Sequence, residues 1–210
     1  MRNFENWETQ DLEIAFDLEQ LEVMDLLENW LQSTTELSIS EDETVKKLKK
    51  ALKNNADFWN EDELKLQFIA PLLLIVDYTM PNYKIFSQRS ISATINNIEI
   101  GGKVDLVLAK GKQKPMKPYF FIHEYKQETK KGSSDPKGQL LSAMLVAEAK
   151  NEGKMPVYGC YVVGRSWFFV ILNGKEYAVS NAYNASDDDI YTVVAILRKI
   201  KEYIQNSLTS

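Results

Sequence analysis

Asp105, Glu124 and Lys126 are the residues whose types and spacing could do chemistry in this sequence. Glu124 and Lys126 follow the apolar run Tyr119-Phe120-Phe121-Ile122, which reads as a strand. Side chains alternate along a strand, so these two share one face while His123, Tyr125 and Gln127 take the other. Asp105 is embedded in a second strand-like stretch, Gly102-Lys103-Val104-Asp105-Leu106-Val107-Leu108. If the two strands pair, a second carboxylate stands beside the first, and two such groups repel unless a cation lies between them. A hard divalent cation suits that arrangement, because magnesium commonly takes one or two protein carboxylates and fills its octahedron with water and phosphate oxygen. The expected ligands are Asp105 and Glu124, with the backbone carbonyl of Tyr125 as a further candidate. Lys126 is then placed to orient a water or to stabilise a charged transition state, and the chemistry expected is phosphodiester hydrolysis without a covalent intermediate.

These strands need a scaffold, and the pattern around them supplies one. Asn60 opens a helix running through Pro71, where the missing N–H should kink it or shift its register. Alternation then predicts strands over 83–94, 99–109 and 119–127, a helix over 138–151, strands over 157–163, 166–172 and 176–180, and a closing helix over 187–204. Asn173-Gly174 favours a tight hairpin turn. Ahead of Asn60, Asp17 followed by Gln20 and Ser40 followed by Glu43 match helix N-caps, and apolar residues recur at helical spacing after each. The expected fold is α/β, a mixed sheet flanked by helices, with a helical extension over 1–55 that packs on a main domain over 56–210.

The motifs also carry a resemblance. Gly-Lys-Val-Asp-Leu-Val-Leu (102–108) followed by Phe-Phe-Ile-His-Glu-Tyr-Lys (120–126) resembles the D…ExK core of the PD-(D/E)xK nuclease superfamily, and Glu-Asp-Glu-Leu-Lys-Leu-Gln-Phe-Ile-Ala-Pro-Leu-Leu (61–73) is similar to the helix that opens the nuclease domains of type I restriction enzymes. Val104 stands where the family name has proline, and Ala143 where many relatives carry a tyrosine. The resemblance covers about residues 58–172. It implies a restriction-endonuclease-like fold, a hydrolase cutting DNA with Mg2+ or Mn2+, and supporting roles for Gln139 and for an acid of the opening helix. That acid is Glu61 by its offset from Ile69-Ala70-Pro71, while Glu63 is placed to cap the helix at Asn60.

Charge is divided along the chain. Residues 1–62 hold 6 Lys and Arg against 16 Asp and Glu, whereas residues 63–210 hold 19 against 14. The region 103–137 carries nine lysines and four acids, which suits a polyanion, and Lys130, Lys131 and Lys137 flank the site as candidate phosphate contacts. DNA is the expected partner. A protein partner on the acidic N-terminal helices, a homodimer, and a catalytically silent module that binds protein or nucleic acid are the alternatives. One cysteine, Cys160, excludes an internal disulfide; that and the lack of an apolar leader suggest a cytoplasmic protein. The longest apolar run, 68–76, is broken by Pro71 and is short of the ~20 residues that span a bilayer, so no membrane association is expected. The sole histidine, His123, is expected in the core, opposite the carboxylates.

Overall fold

A computed structural model describes residues 1–128 and 135–207. In chain order the elements are β1 Arg2–Asn3, α1 Thr9–Phe16, β2 Glu19–Gln20, α2 Asp25–Leu31, α3 Ile39–Asn55, α4 Glu61–Leu64, α5 Ala70–Val76, β3 Tyr83–Ile95, β4 Ile98–Lys110, β5 Met116–Lys126, α6 Pro136–Lys150, β6 Val157–Val163, β7 Ser166–Asn173, β8 Glu176–Val179, β9 Tyr183–Asn184 and α7 Asp189–Ser207. All nine strands of the described chain join one mixed sheet in the order β1-β4-β5-β6-β7-β8-β2, with β3 also on β4 and β9 also on β7. The meander β3-β4-β5 is antiparallel, β5 and β6 are parallel, and α6 makes the crossover that a parallel pair requires. No helix among the described residues is long and apolar enough to cross a membrane.

Helices cover the two faces of the sheet. On one, α2, α3, α5 and α7 pack with Leu106, Phe121, Tyr125 and Phe169; on the other, α1 and α6 pack with Val107, Ile122 and Val170. Gly138 to Ala147 of α6 are all buried. The helix is enclosed on its far side by the N-terminal segment, with Trp7 and Phe16 in the same cluster.

Residues 1–55 do more than add helices. The periodicity from Leu18 to Leu31 reads as one helix capped by Asp17, but Asp17 is the residue that ends α1, at φ 56°, and Glu19–Gln20 form β2 beside β8. Aspartate tolerates the left-handed conformation that closes a helix, so the same residue type served the opposite end. The second cap falls at Ser38 with Glu41 rather than at Ser40 with Glu43, because Ser38 has the extended backbone that an N-cap needs. Trp30 of α2 is fully buried, donates from Nε1 to the Ile196 carbonyl at 2.8 Å, and sits among Phe121, Tyr158 and Phe169.

Two irregularities shape the centre of the molecule. Asn60 and Glu63 close a reciprocal cap on α4, but between α4 and α5 the helix widens over Lys65–Ile69, where the Ala70 N–H reaches back five residues to the Lys65 carbonyl. Pro71 cannot donate a helical hydrogen bond, and one wider turn absorbs that loss. On β3 and β4, Phe86 and Ile91 face the α6 side together, as do Val104 and Val107. Odd separations should put each pair on opposite faces. Both strands therefore switch sides at the Gln88–Asp105 level, where Gln88 has φ 52°.

Candidate metal centre

The site forms where that switch meets the end of β5. Leu106 pairs with His123 and Val107 with Ile122, so continuing the register by one step brings Asp105 abreast of Glu124. Asp105 is held from three directions. Its Oδ2 accepts from the Tyr125 N–H at 2.9 Å, and its Oδ1 accepts from Gln88 Nε2 and from Lys65 Nζ, each at 2.7 Å. Lys126 Nζ donates to Glu124 Oε1 at 2.5 Å. The opening helix closes the ring: Lys65 Nζ also donates to Glu61 Oε1 at 2.6 Å, and Glu61 Oε2 lies 4.0 Å from Lys126 Nζ.

Three carboxylates thus share two ammonium groups in a half-closed setting, with Glu124 4% and Lys126 7% exposed. Burial pushes the Glu124 carboxyl up to about 8 from 4.5, repulsion from Asp105 adds to it, and Lys126 only partly offsets it. Burial pulls both lysines down, but the paired carboxylates more than compensate and both are held above their ordinary value. With Glu124 neutral, two negative charges face two positive ones; with Glu124 ionised, the cluster carries an excess negative charge.

Asp105 and Glu124 lie on adjacent strands, and Lys65 lies between Glu61 and Asp105. Of the residues expected from the sequence, Asp105, Glu124, Lys126 and Glu61 come together here. Glu63 caps its helix instead. Tyr125 enters through its N–H, donated to Asp105. Gln139 is buried in α6 and takes no part in the hydrogen bonds linking the cluster among the described residues. Lys137 is drawn toward the N-terminal segment, with Nζ 3.3 Å from Gln20 Oε1 and 5.8 Å from the Tyr177 ring centroid. Lys130 and Lys131 lie outside the described residues.

Lys65 and Gln88 were not singled out in the sequence. Lys65 had a signal, since it stands one helical turn beyond Glu61 on the same face. Gln88 had none, because its reach to Asp105 depends on the left-handed backbone and the strand register together.

The opposite face holds a separate polar group. His123 Nδ1 lies 2.7 Å from the Tyr125 hydroxyl and 3.1 Å from Cys160 Sγ. All three are fully enclosed, and burial drives His123 down to about 3 while raising the Cys160 thiol and the Tyr125 phenol. The neutral imidazole is on the far side of the sheet from Glu124, as its alternation requires.

Comparison of the chain with protein-family models and with curated proteins finds no match.

Proposed function

We propose that this chain is a divalent-metal-dependent nuclease that hydrolyses DNA through a D…ExK site on a restriction-endonuclease-like scaffold. The observation that carries the reading is the juxtaposition of Asp105 and Glu124 on paired strands, with Lys126 bonded to Glu124 and Glu61 closing from the opening helix. A mixed sheet with helices on both faces and a β5-α6-β6 crossover supports it.

Asp105 and Glu124 would hold Mg2+ or Mn2+, which when bound supplies Lewis acidity toward phosphate oxygen and a more acidic water. In hydrolysis a water oxygen forms a bond to phosphorus, one P–O ester bond breaks, the water gives up a proton and the leaving oxygen takes one. The chain's own part is positioning. The Tyr125 N–H and Gln88 amide fix the Asp105 carboxylate, and Lys126 presents an ammonium beside Glu124 that a water or a phosphate oxygen can accept from. Glu61 and Lys65 balance charge around that ammonium.

Plasmid cleavage by purified protein in Mg2+ or Mn2+ tests this. Wild type should nick or cut, and Asp105→Ala and Lys126→Ala should abolish the activity; wild type and both variants behaving alike would remove the proposal. One observation favours a second reading, in which the fold serves as a silent binding module: Lys65 already neutralises Glu61 and Asp105. Calorimetry showing no uptake of Mn2+ by a well-folded chain would select that reading.

A further inference from the structure

Away from the carboxylates, unpaired positive charge collects on the β3-β4-β5 meander. Residues 82–118 hold seven Lys and Arg against two acids, in a chain of net charge −5. Two open clefts lie there, of about 530 and 420 Å³, and share Lys114. Lys84, Lys110 and Lys112 line the first with Lys114; Arg89 and Lys150 line the second. No carboxylate lines either cleft, and among the described residues none of these six cations pairs with one. The adjoining Lys117 and Lys154 are different, since both close on Glu152.

The turn between β4 and β5 creates this grouping. Gly111 has φ +134° and its N–H donates to the Asn82 carbonyl at 2.9 Å, tying the turn to the start of β3. A Cβ there would lie 2.2 Å from the Lys114 carbonyl oxygen, so only glycine lets the chain fold back tightly enough to bring Lys110, Lys112 and Lys114 to one opening. Arg89, which lines the second cleft, is the residue after Gln88, whose amide holds Asp105.

We infer that these two clefts form a continuous docking track for the phosphate backbone of duplex DNA. The inference deepens the proposed nuclease reading by assigning its substrate contact. Free cations without competing acids are what phosphate neutralisation needs, and each counterion released as the duplex docks strengthens binding at low salt. Single-strand grooves pair such cations with aromatic faces on which bases stack. Here the aromatic lining residue is Tyr119, only 5% exposed, so the track reads the backbone and not the bases.

The test is fluorescence anisotropy of a labelled ~20-base-pair duplex in EDTA, from roughly 50 to 200 mM salt, so that no cleavage intervenes. The triple variant Lys110/Lys112/Lys114→Gln, checked for fold by circular dichroism, should bind at least tenfold more weakly. Its log K against log salt slope should be shallower by up to about 2.7, near 0.9 for each phosphate no longer neutralised. A control triple, Lys47/Lys50/Lys53→Gln on α3, removes equal charge and should change little. Equal losses in both triples, or none in the first, would overturn the track. So would a glutamate-rich peptide competing for the clefts as well as the duplex does, which would make the surface a protein site. A chain that binds the duplex through Lys110, Lys112 and Lys114 yet cuts nothing keeps this inference and loses the nuclease; a chain that cuts normally with those lysines replaced keeps the nuclease and loses the track.

Discussion

Glu124→Gln should remove a loss of stability that the metal-free chain suffers as pH rises from about 4.5 to about 8. Glu124 is 4% exposed and its carboxyl is raised from 4.5 to about 8, by burial first and by Asp105 second. The unfolded chain loses this proton near pH 4.5, while the folded chain keeps it until about pH 8. Between those limits the folded state binds more protons, so the contribution is fully present below pH 4.5 and drains away as pH rises through 8. At 1.36 kcal/mol per pH unit the loss is about 3 kcal/mol from pH 5 to pH 7 and about 5 kcal/mol in all. Glutamine has nearly the same shape, can still accept from Lys126, and never ionises. The variant should therefore gain on wild type by about 3 kcal/mol between pH 5 and pH 7. Urea unfolding in EDTA at half-unit pH steps measures the difference directly. A constant offset between the two proteins from pH 5 to pH 8.5 would mean that Glu124 is already ionised in the fold, and the reasoning about a charge-starved carboxyl pair would be wrong.

Lys65→Met should cost about 2 kcal/mol in EDTA, because Glu61 and Asp105 lose the ammonium between them in a partly exposed setting; millimolar Mn2+ should raise its melting temperature more than that of wild type, and an equal rise in both would deny that lysine and metal share the position. His123, held down to about 3 by burial, contributes stability that is present above pH 6.5 and is lost as pH falls toward 3, so His123→Gln should flatten the acid limb of the unfolding profile even if its midpoint at neutral pH drops. Trp30→Ala removes a fully buried indole, its hydrogen bond to Ile196 and its packing against three aromatic rings, at a cost of about 3–5 kcal/mol in chemical denaturation; a loss below 1 kcal/mol would mean that α2 is not part of the main core.

The strands were readable because their signals are local. Val157–Val163 is bounded by the structure where alternation bounds it, and the Asn173-Gly174 turn appears with Gly174 at φ 64°. The pairing of Asp105 with the Glu124 strand followed from the meander, since consecutive strands joined by short turns usually lie side by side. Long-range and dihedral-dependent features were hidden. Nothing in the composition of Leu18-Glu19-Gln20 announces a strand whose partner is Glu176–Tyr177, and a short polar stretch between helices looks like a loop. The donors to Asp105 were equally opaque: the Lys65 bond spans 40 residues and needs the widened helical turn, and the Gln88 bond needs a residue type that rarely adopts positive φ. In the same way, Lys137 could be placed near the carboxylates by sequence distance alone, but packing of the N-terminal segment captures it with Gln20 and Tyr177.

The stitching of β2 onto β8 has a consequence for how the molecule is made. Glu19 and Gln20 bond backbone groups around Lys175 to Tyr177, more than 150 residues later in the chain. Closing a loop of that size is entropically slow, and pairings this far apart in sequence delay the completion of folding. Until then the outer edge of β8 offers unsatisfied N–H and C=O groups to any neighbouring strand. β2 therefore acts as a late clasp: its docking on β8 seals that edge of the sheet, and a chain truncated before β8 would leave Glu19 and Gln20 without a strand to pair with.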